Sequence, residues 1–350
     1  MTRFPWLILV ALFAACSDTP QPPTVDVTGI WTGTWHGEGN AEHGFLVIDL
    51  RQQTDGELTG GVYIRYDLPS LQNVGVDVDG RVEGSSVTFT MQSSDNPHTF
   101  RGEVTADAAS GALEYRGLTG SWDARRLPTS VLQVEDSFDT SMRLPRAMTM
   151  VDKELWATDA ATFYRVDPAT HKVTTVSPGP DSPSCQSGLA HDGTDLLCTG
   201  GSPKIHRMDL SLKEVGGIEL DDKTWPELLA YDGTQLWTTQ GGDYSLRRVD
   251  LSGKVLQTFS VKASVDDMTW LGGHLYLLLF TPRAVLKLDA AAKIVAGYQF
   301  PAEVIQRTEE EVPVSDGIAG HGQSLWVSVQ RMSTGPGPSS STRLYRFKLP

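Results

Sequence analysis

Apolar and polar residues alternate with period two along most of the chain, in short runs separated by Gly, Asp, Ser and Pro. That is the pattern of half-buried strands, not of helices. It is clearest in residues 227–261, which read ELLAYDGTQLWTTQGGDYSLRRVDLSGKVLQTFSV. Strands are expected at 227–231, 235–239, 245–251 and 254–261. The connections are Asp232-Gly233-Thr234, Gly241-Gly242-Asp243 and Ser252-Gly253. Glycine at such turns reaches positive φ, and an Asp side chain bonds its own backbone two residues on.

This four-strand unit recurs. Its second strand begins at Leu155, Leu196, Leu236, Leu275 and Leu325, at spacings of 41, 40, 39 and 50 residues. An aromatic residue follows four of these leucines (Trp156, Trp237, Tyr276 and Trp326), and Leu197 stands in the second copy. The third strand ends on Asp167, Asp209, Asp250 or Asp289, each followed by a tight turn. Four-strand units repeating at about 40–50 residues predict a β-propeller, with the Leu–Trp stripe packing blade against blade. Five copies predict five blades. A sixth has room only in 299–313, which reads as one long acidic loop. The fifth copy supplies three strands, so residues 131–138 are expected as the outer strand of the final blade. Their Val131-Leu132-Gln133 matches Val255-Leu256-Gln257 of the third copy. Closing the ring in this way removes free edges.

Residues 27–127 alternate too, in runs at 45–51, 58–66, 74–82, 86–91, 99–105 and 112–115. They open with GIWTGTW at 29–35 and close with GSWDAR at 120–125. This stretch resembles the small lipocalin-like barrels of bacterial lipoproteins. The resemblance implies that the first and last strands meet. A barrel of roughly 100 residues either fills with side chains or holds one small ligand. Trp31, Trp35 and Trp122 are read as core plugs of a filled one.

Residues 1–16, MTRFPWLILVALFAAC, put a basic residue before an apolar run too short to span a bilayer, as a secretory signal does. The end, LFAAC, resembles the lipobox of bacterial lipoproteins. That resemblance implies cleavage before Cys16 and diacylation of its thiol, and acyl chains in number anchor a protein stably. Ser17 resembles the outer-membrane sorting residue. Residues 17–26 are a Pro-rich tether, which proline keeps extended. The expected organisation is a signal at 1–16, a tether at 17–26, a barrel at 27–127 and a propeller at 128–350. The expected location is a lipid-anchored place in the bacterial cell envelope, at the outer membrane, as a monomer.

Charge narrows the partners. The chain has 29 Lys+Arg against 43 Asp+Glu, a net of -14. With no basic patch, this argues against nucleic acid. Cys185 and Cys198 flank the inner hairpin of the second copy, and in an exported protein they read as a disulfide. A metal pair there would need more Cys or His than the sequence provides.

Aligning the copies on their inner turns gives one residue per blade at the propeller's mouth: Ala147, Ser187, Glu227, Asp267 and Asp316. Ser187, Glu227, Asp267 and Asp316 are the candidate ligand-binding set, with Asp266 beside Asp267. Converging carboxylates bind a hard cation such as Ca2+, and Glu227, Asp267 and Asp316 are the candidate metal ligands. They can also hold an amine, or share a proton and act as acid and base. The competing reading is that these acids only bond loop amides. His191, His206 and His321 form no pair at ligand spacing. No nucleophile elbow, phosphate loop or zinc-protease motif is present.

The repeat DGTxLWxxxGGxxxLxxVDLSGKVLxxF at 232–259 resembles bacterial propeller repeats related to the NHL and quinoprotein-like families. The resemblance implies the fold, and such folds serve sensors, scaffolds and enzymes alike. The expected function is a non-catalytic binding or scaffold protein that meets a small ligand or a cell-envelope protein. The alternative is an enzyme similar to the glutaminyl cyclotransferases, with Glu227 at the acid–base position, or to the metal-dependent lactonases.

Overall fold

The computed structural model describes residues 21–38, 43–66, 74–91, 97–115, 117–143, 145–159, 162–179, 182–240, 245–261, 263–279, 281–306, 308, 311–333 and 342–350. Residues 1–16, where the signal and the lipidation residue Cys16 are expected, and Ser17 lie outside them. The chain is all-β, an eight-stranded closed barrel followed by five four-stranded blades. Among the described residues one short helix, Ala302–Ile305, interrupts the strands. No helix among them is long and apolar enough to cross a membrane.

The barrel closes because its first strand, Gly29–Gly37, pairs with both its second, His43–Gln52, and its eighth, Leu118–Arg126. Trp35 lies opposite Trp122 across that seam, so the opening and closing tryptophan motifs do meet. Gly33 makes the close approach possible, since a Cβ there would sit 1.8 Å from the Asp123 carbonyl oxygen. Trp31, Trp35, Phe89, Phe100 and Trp122 are buried inside. The indole N–H groups donate to the carbonyls of Val27 (2.9 Å), Arg65 (3.1 Å) and Arg101 (3.3 Å) respectively for Trp31, Trp35 and Trp122. A gap of about 10 Å³ beside Trp31, Phe89 and Trp122 leaves no room there for a ligand. Among the described residues the barrel interior is packed with apolar side chains.

The blades follow in chain order. The inner strands are Ala147–Val151, Gly188–His191, Pro226–Tyr231, Val265–Leu271 and Glu311–His321. In blades 1–4 each is followed by a second, third and outer strand, and in blade 5 by a second and third. Blade 5 takes its outer strand, Gln133–Thr140, from before blade 1, which closes the ring as the sequence predicts. Within 299–313 the described residues hold the short helix and the start of an inner strand, and among the described residues there is no sixth blade. The five second-strand leucines and the residues after them are all buried. Asp167, Asp209, Asp250 and Asp289 each accept backbone N–H bonds from the turn that follows, which is why one residue type recurs there.

Barrel and propeller are joined on one side. Residues Thr129–Val131 add to blade 4 as a fifth strand, parallel to Ile294–Gln299. The sequence places Val131 in the closing strand of blade 5. That strand begins at Gln133, and the residues before it cover the edge of blade 4 instead. Ile30 and Val47 of the barrel share an apolar cluster with Leu277 and Leu286 of that blade. Buried Asp49 accepts from Gln299 and pairs with Arg51 at 3.3 Å, while Arg51 donates to the Phe300 carbonyl at 2.8 Å. Arg65 donates to the Val261 carbonyl at 2.6 Å, and Arg283 pairs with Asp77 at 3.2 Å. The modules are therefore docked by apolar packing, by hydrogen bonds and by the Arg283–Asp77 ion pair, beyond the short connection itself.

The candidate site at the propeller mouth

The five inner strands line the central axis, and their heads form one rim. In three blades the inner strand breaks register there. The break falls between Pro226 and Leu229 in blade 3, between Val265 and Asp267 in blade 4, and between Ser315 and Gly317 in blade 5. The unpaired residues are Glu227 with Leu228, then Asp266, then Asp316. A bulge releases a residue from the ladder and re-aims its side chain. All three bulges deliver a carboxylate.

This corrects the alignment by one position. Asp266, not Asp267, is the counterpart of Asp316, and Asp267 corresponds to Gly317. A single step along a strand reverses the face. Asp267 is fully buried, and its carboxylate accepts three backbone N–H groups. Oδ2 takes those of Met148 (3.2 Å) and Ile318 (2.8 Å), and Oδ1 takes that of Met268 (2.9 Å). It ties the inner strand of blade 4 to those of blades 1 and 5. For Asp267 the reading that the acid bonds amides is the one the structure shows.

Asp266 and Asp316 differ. Each has an Oδ2 atom shielded from water with no hydrogen-bond partner. Burial, then the charge of Asp316, pushes the Asp266 carboxyl well above the usual carboxylate range. Burial pushes Asp316 up to about 7, against the pull of the Arg146 guanidinium. Both carboxyls thus resist ionisation, as neighbouring buried acids do. Glu227 is exposed on the same rim, and its carbonyl accepts the Thr199 hydroxyl. Ser187 is half-buried, with its N–H on the Thr199 carbonyl at 3.2 Å. Trp225, two residues before Glu227, is 56% exposed. Among the described residues no three His, Cys, Asp or Glu side chains converge to hold a metal ion. Glu227, Asp267 and Asp316 are therefore not brought together as a calcium set.

Second-strand hydroxyls fix the rim. Thr158 donates to the Cys185 carbonyl at 3.3 Å, Thr199 to that of Glu227, and Ser328 to that of Pro145 at 3.4 Å. Each bond runs from one blade to the next. Cys185 and Cys198 form a disulfide with Cα atoms 5.4 Å apart, which staples the head of blade 2. Sequence reasoning left out Arg146 and undervalued Asp266, although the Asp-Asp doublet was visible. Two clefts of about 420 and 530 Å³ lie away from the mouth, where the barrel meets the propeller.

No family model and no curated protein matches the chain. Among solved structures, the glutaminyl cyclase of Myxococcus xanthus is similar over 64% of this chain and 98% of that one, with a TM-score of 0.50 at 14% identity. The PQQ-bound aldose sugar dehydrogenase of Streptomyces coelicolor is similar over 62% and 98%, with a TM-score of 0.38 at 14% identity. A catalytically inactive virginiamycin B lyase from Staphylococcus aureus, solved with quinupristin, is similar over 76% and 96%, with a TM-score of 0.34 at 14% identity. At such identity the likeness to the first is one of fold. The chain is a barrel–propeller protein, and its chemistry has to be argued from its own residues.

Proposed function

We propose that this protein is a lipid-anchored binding protein of the bacterial cell envelope whose propeller mouth takes a small organic cation. The observation that carries the reading is the pair of buried, unpartnered Oδ2 atoms on Asp266 and Asp316. Leaving a buried polar atom unsatisfied costs about 1–3 kcal/mol, and an ammonium or guanidinium donor entering the mouth would relieve it. Exposed Glu227 adds negative charge to the rim, and exposed Trp225 offers a ring face of the kind that attracts cations. Calcium fits less well, because Asp267 is committed to amides. The anchor rests on the sequence around Cys16.

The test is calorimetric titration of the full-length protein with a panel of primary amines, guanidines and Ca2+, repeated on Asp266→Asn/Asp316→Asn. Saturable binding of an amine or guanidine, lost in the double variant, supports the reading. Binding that survives the double variant, or no binding by any organic cation, refutes it.

A second reading has its own support. A carboxyl pushed up to about 7 is poised to give and take a proton near neutral pH, as a general acid–base group must. The propeller shared with the Myxococcus xanthus enzyme makes a glutaminyl cyclase activity the first to assay. Turnover of an N-terminal glutaminyl peptide that vanishes in Asp316→Asn would favour it over simple binding. A lactonase-like reaction would need a metal set that the described residues do not assemble.

A further inference from the structure

Blade 2 carries a second cluster that the mouth does not use. Its third strand, Lys204–Met208, pairs with its outer strand, Glu214–Glu219. Ser202 lies in the turn leading into the third strand, and its Oγ is 3.2 Å from His206 Nε2. On the other side of the ring, His206 Nδ1 is 2.9 Å from Glu214 Oε1. Lys204 Nζ donates to the same oxygen at 2.6 Å. Bonds from Lys204, then from His206, hold the Glu214 carboxyl below the usual range. An ionised carboxylate only accepts, so the proton of a neutral His206 sits on Nδ1 and Nε2 offers its lone pair to the serine hydroxyl.

A hydroxyl, an imidazole and a carboxylate in that order, each within reach of the next, turn a serine into a nucleophile. The geometry points to a serine acyl-hydrolase centre at Ser202, His206 and Glu214, acting on small carboxylic esters at the face of blade 2. The backbone suits the role. Gly200 and Gly201 precede the serine, and Gly201 has φ of 66°, so the chain turns sharply there. A Cβ on Gly201 would meet nothing within 4 Å, so the approach from that side is open. The backbone N–H groups of Gly201 and Ser202 flank the nucleophile, where donors to a developing oxyanion are needed. The His206 side chain is only 15% exposed, and its cross-strand neighbour Cys198 is held by the disulfide. Gly217 lets the Lys204 stem lie against the outer strand and reach Glu214.

In the reaction, Ser202 Oγ attacks the ester carbonyl carbon while its proton passes to Nε2. The bond to the alcohol oxygen breaks, and the alcohol leaves with that proton. Water then attacks the acyl-serine, one of its protons returning through Nε2 to Oγ, and the carboxylic acid departs. No oxidant or further reactant is needed. Because the serine sits at a turn that is open on the Gly201 side, short acyl groups are the substrate class.

The competing role is a polar staple. Ser202 Oγ can donate instead to the Lys204 carbonyl at 3.2 Å, and it accepts the Lys204 N–H at 3.3 Å. The experiment treats the full-length protein with a fluorophosphonate ester and maps the adduct by mass spectrometry, with p-nitrophenyl acetate hydrolysis measured alongside. The expected result is a single adduct on Ser202, absent from Ser202→Ala. Labelling and hydrolysis should fall by about 100-fold or more in His206→Gln, the range a general base contributes. Glu214→Gln should lower both while the thermal midpoint stays within a few degrees, which separates chemistry from folding. No adduct on Ser202, or equal labelling of wild type and His206→Gln, overturns the proposal and leaves a staple.

Discussion

Replacing Asp316 by Asn should make the protein less stable than wild type at pH 4 and more stable at pH 8. Burial raises this carboxyl from 3.8 to about 7, so between those values the folded protein holds a proton that the unfolded chain releases. A state that binds more protons loses stability as pH rises. The penalty is absent below the unfolded value and complete above the folded one. At about 1.4 kcal/mol per pH unit it reaches about 4 kcal/mol by pH 8. Asn removes the ionisation and so the whole pH-dependent part. It also replaces Oδ2, which has no partner, with an amide group that costs about 1–2 kcal/mol if it too finds none. The net change is about 1–2 kcal/mol of loss at pH 4 and about 2–3 kcal/mol of gain at pH 8. For a propeller of this size the gain corresponds to a midpoint about 5–10 °C higher. Thermal unfolding of both proteins from pH 4 to 8 is the assay. A difference between them that stays constant across that range would show that Asp316 ionises freely in the fold, and the argument for the mouth would lose its basis.

The acid one register away differs because its oxygens hold backbone amides. Asp267→Ala leaves the N–H groups of Met148 and Ile318 buried without acceptors, so a loss of about 2–5 kcal/mol is expected in denaturant unfolding at pH 4, and it should shrink as pH rises because burial holds the Asp267 carboxyl well above the usual carboxylate range and the variant is free of that ionisation penalty. Replacing Cys185 and Cys198 together by Ala opens a loop spanning 13 residues, which should cost about 3 kcal/mol, and dithiothreitol should lower the wild-type midpoint without touching that of the variant.

The fold was legible because its signals are local and repeated. The Leu–Trp pairs mark second strands since each must bury against the next blade, and Trp156, Trp237 and Trp326 are all buried. The third-strand aspartates mark turns since each carboxylate must accept the amides that the turn leaves open. Even the shared final blade could be read, because Val131-Leu132-Gln133 repeats an outer strand seen elsewhere. It was displaced by two residues only because nothing local distinguishes an edge of blade 4 from one of blade 5.

The site was legible only as a neighbourhood. Alignment by spacing treats every strand as regular, whereas blades 3, 4 and 5 each bulge at the mouth. A bulge adds a residue without changing composition, so no hydrophobic pattern reports it. Yet the bulge decides which member of the Asp266–Asp267 doublet plugs the axis and which is left unpartnered at the rim. The triad-like cluster of blade 2 was hidden for a related reason. Ser202 and His206 are close in sequence, but Glu214 joins them only through the register of the third and outer strands. Both sites depend on strand register, a property of pairing between segments, and the order of residues along one segment leaves it open. The two consequences can be measured apart. Stability against pH reports the mouth, covalent labelling reports blade 2, and neither result constrains the other.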